Sequence, residues 1–160
     1  YINQILSKTI PEETILHLLR SAIDLSFEHR GALFCVLDKA RDLADMVPDH
    51  KKKTRANRIL RKTLYGLNIK QWQYERQLIT SAAATDGAVI LSPDGKVLDV
   101  ACMIGPCINR IQDLELKDPS TPGSRSSAAW RASLYGLSLK VSADGPIVGY
   151  RMGEQILQIG

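Results

Sequence analysis

No apolar run in this 160-residue chain approaches the roughly 20 residues that a membrane-spanning helix needs, and no signal peptide is visible. Cysteine is scarce. Cys35, Cys102 and Cys107 are odd in number and form no CxxC pair, a usage that fits a reducing setting, and a cytoplasmic location is the expectation. The three histidines, His17, His29 and His50, show no ligand spacing, so a zinc site built on Cys102 and Cys107 would lack its remaining ligands. Internal repeats and low-complexity tracts are also missing. What remains is the composition of a globular domain, 44% hydrophobic and 24% charged, and the length suits one domain over residues 1–160. Lys plus Arg exceeds Asp plus Glu by 21 − 17 = 4. A mildly basic surface of this kind tolerates phosphates, nucleic acid or anionic lipid and selects none of them. The chain begins at Tyr1 rather than Met, so we expect a piece of a longer protein, with an attached effector domain elsewhere.

The apolar pattern predicts alternating helices and strands. "TIPEETILHLLRSAIDLSFEH" reads as a helix, with Pro11 near its start, Glu12 and Glu13 at the positive end of its dipole, and Ile15, Leu18, Leu19, Ala22 and Ile23 at helical spacing. "GALFCVLD", Gly31 to Asp38, is a short continuous apolar run and reads as a buried strand. Residues 39–77 form a mixed, basic, helical segment in which seven cations fall between Lys51 and Lys62. Ile59, Leu60 and Leu64 suggest an amphipathic helix there with a solvated basic face. Nucleic-acid contact through 51–62 is the alternative, because phosphate neutralisation needs cations and has no spacing signature. Trp72 and Tyr74 are expected to cover an edge of the core rather than stack on bases. "GAVIL" and "KVLDVACMI" form a hairpin around Ser92-Pro93-Asp94-Gly95. "SRSSAAWRASLYGL" reads as a helix capped by Ser124, followed by the strands "SLKVS", "IVGYR" and "EQILQIG". The fold class expected is α/β, a mixed central sheet with helices on both faces.

Three short stretches carry the polar chemistry. Asp86-Gly87-Ala88 places a carboxylate at a loop-to-strand junction, with a glycine that would let a ligand approach the backbone. Gly123-Ser124-Arg125-Ser126-Ser127 opens a helix with hydroxyls, an arginine and free backbone N–H groups, a combination suited to phosphate. Ser142 supplies a hydroxyl at the end of a strand.

In this order and strand context the chain resembles the diadenylate cyclase domain found at the N-terminus of the DNA integrity scanning protein. The resemblance runs through "RGALFCVLD", "DGAVILSPDGKVLDVAC", "GSRSSAAWRASL" and "LKVSADGPIVGYRMGE", and it omits the segment from about Lys39 to Gln77. It implies a mixed sheet flanked by helices, two domains meeting face to face, and one ATP in each. It also implies that Asp86, Gly87 and Ala88 bind the nucleotide near its reacting 3′ hydroxyl, with Asp86 on a divalent metal, Mg²⁺ or Mn²⁺. The arginine motif, here Gly123 to Ser127, is implied to hold phosphates, and Ser142 to contact the phosphate tail.

The chain departs from that pattern where charge is needed. Active members carry Arg-His-Arg after Gly-Thr, whereas Arg125-Ser126-Ser127 follow Gly123-Ser124 here, and an acidic pair after the strand serine is reduced to Ala143-Asp144. Condensing two ATP molecules needs a metal to assist the attacking hydroxyl and several cations around the α-phosphate and the leaving pyrophosphate. Arg131 could restore one charge, but about one and a half helical turns separate it from Arg125 and turn it to another face. The expectation is a nucleotide-binding sensor domain with a degenerate catalytic motif, taking ATP or a cyclic nucleotide. An active cyclase making cyclic di-AMP, with Asp86 catalytic, is the alternative.

Overall fold

The computed structural model describes residues 9–71, 73–119 and 123–160. The first helix, α1 (Glu12–Phe27), starts where Pro11 sits at the N-cap with φ −57°, and its carbonyl accepts the N–H groups of Thr14 and Ile15. Strand β1 (Ala32–Leu37) follows and is buried along its whole length. A 3₁₀ turn (Ala40–Asp42), α2 (Leu43–Met46), α3 (Arg55–Leu64) and α4 (Gln73–Ala83) then lead to β2 (Ala88–Leu91). The hairpin partner β3 (Val97–Cys102), α5 (Ile108–Asp113), α6 (Ser124–Ala132) and a 3₁₀ turn (Ser133–Tyr135) precede a meander of β4 (Gly136–Val141), β5 (Ile147–Arg151) and β6 (Glu154–Ile159).

The six strands form one sheet in the order β3-β2-β1-β4-β5-β6. Only β1 and β2 run parallel, in the register Phe34 to Val89 and Val36 to Leu91; the other pairs are antiparallel. Parallel neighbours need a crossover, which residues 38–87 supply. Because side chains alternate along a strand, β1 feeds two cores. Ala32, Phe34 and Val36 pack with Leu18, Ala22 and Leu25 of α1, Leu64 of α3 and Ile79 of α4 on one face. Leu33, Cys35 and Leu37 pack with Met46, Cys102, Cys107, Ala129 and Trp130 on the other. Helices therefore cover both faces, as the apolar pattern predicts.

The basic segment is less solvated than its composition suggests. Lys53 reaches inward, its side chain 5% exposed, with Nζ 3.3 Å from Oδ1 of the fully buried Asp99 and donating to the Val100 carbonyl at 2.8 Å. Arg61 Nε lies 3.5 Å from the same carboxylate oxygen. Two of the seven cations thus fasten α3 and the loop before it to β3, while Lys51, Lys52, Arg55, Arg58 and Lys62 face solvent. Tyr74 does not cover the core edge: it is 71% exposed at the start of α4, where the buried face is made by Ile79, Ala82 and Ala83. Trp72 lies outside the described residues.

Candidate functional site

One end of the sheet opens into a cavity of about 620 Å³, within the range of small-molecule sites. Its wall combines Asp86, Gly87 and Ala88 with Cys102, Met103 and Ile104 just across the hairpin, and with Gly123, Ser124, Arg125, Ser127, Ala128 and Arg131 from α6. The two motifs, more than thirty residues apart in sequence, meet because β2 and α6 both pack against β1, and Leu33 of β1 lies in the wall between them.

Asp86 stands in the turn between α4 and β2, exposed at the cavity wall, and its Oδ1 accepts the Gly87 N–H at 3.1 Å. Gly87 has φ +88°, and a Cβ there would lie 2.6 Å from the Ala101 carbonyl carbon and 2.8 Å from the Cys102 nitrogen. The close approach that requires this glycine is made by β3, where Ala88 pairs with Cys102 beside a bulge. The glycine thus sets the path by which Asp86 reaches the wall.

At α6 the residue in the N-cap position is Gly123, with φ +93°, and Ser124 is the first helical residue and makes no capping bond. The sequence reading of Ser124 as the cap is corrected here: a left-handed backbone at residue 123 favours glycine, and the hydroxyl one position later is left to the cavity. The first turn of this nine-residue helix borders the cavity, where the positive end of the helix dipole favours an anion. Trp130 Nε1 donates to the Gly153 carbonyl at 2.8 Å, and the Met152 N–H donates to the Ser133 carbonyl, which fixes α6 against the β5–β6 turn.

Two expected site residues stand off the wall. Ser126 faces β4, where its Oγ accepts from Lys140 Nζ at 2.9 Å, and Ser142 sits in the turn after β4, its N–H given to the Pro146 carbonyl. Since Val141 pairs with Ala32, Ser142 still shares the sheet end that holds Gly31 and Arg125.

The structure adds Gly31, which the sequence reading passed over, and Arg131, which it weighed and set aside. Gly31 lies against Arg125: a Cβ on it would collide with Nη1 and come 3.3 Å from Cζ, so this glycine makes room for the guanidinium. Arg131 lines the same cavity despite the angular argument against it. The relevant comparison is with Ser127, four residues earlier and on the same helix face, and not with Arg125. Arg131 donates from Nε and Nη2 to Oδ2 of Asp118, at 2.9 and 2.8 Å.

Cys102 belongs to the wall but offers no thiolate. Burial, with the nearby Asp99 carboxylate adding to it, outweighs Lys53 and pushes its thiol up to about 12. All three cysteines are buried and free. Among the described residues no group of three or more His, Cys, Asp or Glu side chains converges on a common point. Among the described residues Asp86 is the one carboxylate in the wall. It fits a hard divalent ion whose other ligands are water and substrate phosphates, as Mg²⁺ sites often are, and does not fit an all-protein cage.

Fold and site together define an α/β domain with a mixed six-stranded sheet among the described residues and, at one sheet end, a cavity lined in part by Asp86, Arg125 and Arg131. No family model matches the chain, and no curated protein matches it in sequence. Solved structures do. A hypothetical membrane spanning protein from Bacillus cereus superposes with a TM-score of 0.63 at 20% identity, covering 100% of this chain and 69% of that one. A double cysteine mutant of DacA from Staphylococcus aureus superposes with a TM-score of 0.52 at 18% identity, covering 93% of this chain and 88% of that one. The fold is thus similar to that of the diadenylate cyclase DacA. Among the described residues no helix is long and apolar enough to cross a membrane.

Proposed function

We propose that this chain is a nucleotide-binding domain of the diadenylate cyclase fold whose catalytic charge is reduced, and that it reports nucleotide occupancy to an attached effector. The observation that carries the reading is the convergence of Asp86 with the Gly123-Ser124-Arg125 helix start on one cavity of about 620 Å³. Arg125 and the α6 N–H groups suit the phosphates, the apolar side chains of Met103 and Ile104 suit a flat base, and Asp86 suits a metal-bridged phosphate or a sugar hydroxyl. When bound, Mg²⁺ or Mn²⁺ would neutralise phosphate charge and draw the nucleotide toward Asp86. Ser126 and Ser127 leave the site with fewer cations than adenylyl transfer between two ATP molecules, with pyrophosphate leaving, calls for.

A second reading, an active diadenylate cyclase working as a face-to-face pair, gains support from Arg131, which brings a second guanidinium into the wall. The reading of segment 51–62 as a nucleic-acid surface loses Lys53 and Arg61 to Asp99 and keeps five exposed cations.

Incubation of the protein with ATP and Mn²⁺, with chromatography for cyclic di-AMP and titration calorimetry for ATP and cyclic di-AMP, separates these readings. The expected outcome is binding without product, with binding weakened about tenfold or more in Asp86→Asn when Mg²⁺ is present. Product formed by the wild type and abolished in Asp86→Asn would establish the cyclase. Salt-sensitive binding of duplex DNA without any nucleotide binding would establish the basic surface.

A further inference from the structure

Resting on that nucleotide reading, we infer that Arg131 is the second phosphate-binding cation of the cavity, moved one helical turn along α6, and that Asp118 is the resident carboxylate a phosphate displaces. Ser124, Ser127, Ala128 and Arg131 all line the cavity and follow each other at i, i+3, i+4 and i+7, so they form one stripe of the helix. Residue 131 stands about 6 Å along the axis beyond residue 127, where the resembling motif has its second arginine and this chain a serine. Long helical side chains lean back toward the helix N-terminus, which carries the Arg131 guanidinium over Ser127 toward the anion-favouring first turn. A small residue at position 127 leaves that path open.

The partner that Arg131 holds now is itself an anion. Nε and Nη2 both donate to Oδ2 of Asp118, and the two side chains are 30% and 27% exposed, so water and solutes reach the pair. Asp118 lies outside the cavity wall. Phosphate oxygens offer a guanidinium the same hydrogen-bond geometry with more charge, and exchange of one anion for the other brings Arg131 to the nucleotide. Asp118 then sets a threshold: it competes for the cation and lowers the affinity that the site would otherwise have.

The test is calorimetric titration of the intact chain with ATP in Mg²⁺ and with adenosine, for wild type, Arg125→Ala, Arg131→Ala, Arg131→Lys and Asp118→Ala. Arg131→Ala is expected to weaken ATP about tenfold or more and to leave adenosine unchanged, with Arg131→Lys between the two. Asp118→Ala is expected to tighten ATP several-fold. Both alanine variants break the same ion pair, so a merely structural role would make them change alike, and that result overturns the inference. Unchanged ATP affinity in Arg131→Ala, or no tightening in Asp118→Ala, overturns it also. If Arg125→Ala loses ATP and Arg131→Ala does not, the inference fails while the nucleotide reading stands; if the wild type binds neither ATP nor adenosine, both fall. Where Arg131→Ala does not fold, Arg131→Lys and Asp118→Ala carry the comparison.

Discussion

A buried thiol is a group whose ionisation folding forbids. Cys35 and Cys107 are raised above the ordinary thiol range chiefly by burial, and Cys102 is pushed up to about 12, so the folded chain holds protons that the unfolded chain releases. The stability tied to these groups is fully present below the ordinary thiol range and is lost as pH climbs from there toward about 12. Urea midpoints measured at pH 7, 9, 10 and 11 are expected to fall over the alkaline points. A Cys102→Ala variant should show a shallower decline, by at most ~1.4 kcal/mol per pH unit for the one thiol removed. An identical slope in wild type and variant would mean that Cys102 ionises freely. The residue scale is also where the candidate site was least legible from sequence. Asp86 and Arg125 can be read because acid-glycine and serine-arginine pairs carry chemistry in their side chains. Gly31 cannot, because what it contributes is the absence of a Cβ beside Arg125, and that matters only once β1 and α6 are adjacent. The angle between Arg125 and Arg131 does not decide which of them reaches the cavity, because the cavity is wide enough to take in both helix positions.

At the scale of elements, the clip between the α3 segment and β3 decides how the crossover sits. Lys53 is held by Oδ1 of Asp99 and the Val100 carbonyl, Oδ1 also accepts the Val100 N–H, and Asp99 Oδ2 has no hydrogen-bond partner among the described residues. Lys53→Met would leave a fully buried carboxylate with the Val100 N–H and, as its one cation among the described residues, the partly exposed Arg61, a loss of about 3 kcal/mol. Lys52→Met, whose side chain is 85% exposed beside Asp49, should change stability by less than about 0.5 kcal/mol. Denaturant titration of the two neighbours measures the contrast, and equal effects would mean that the buried pair is not formed. Element boundaries elsewhere follow from local chemistry and were legible. Pro11 starts α1, the Ser92-Pro93-Asp94-Gly95 turn closes the β2–β3 hairpin, and a continuous apolar run makes β1. The role of the basic segment was hidden because a lysine's charge reads the same whether it meets water or Asp99. Composition cannot tell the seven cations apart; the register of β3, which turns Asp99 inward, does so.

For the whole molecule, a mixed sheet with helices on both faces follows from the alternation of helical and strand patterns, and the similarity to solved structures bears on this level and no finer one. The strand order needed the structure, since nothing in the pattern says that β4 returns to the far side of β1 and leaves β2 to pair in parallel. That one parallel pair sets a timetable for assembly. The β2–β3 hairpin and the β4-β5-β6 meander close over short turns, whereas β1 and β2 meet only after residues 38–87 have looped back. On loop-closure grounds the wall that joins Leu33 to Asp86 is expected to form late, after the short-turn hairpins and largely beyond the folding transition state. A nucleotide bound there, as proposed, would stabilise the native state and leave the transition state unaffected. Stopped-flow measurements with and without ATP should show unfolding slowed in proportion to the binding energy and refolding unchanged, whereas refolding accelerated by ATP would place the crossover early.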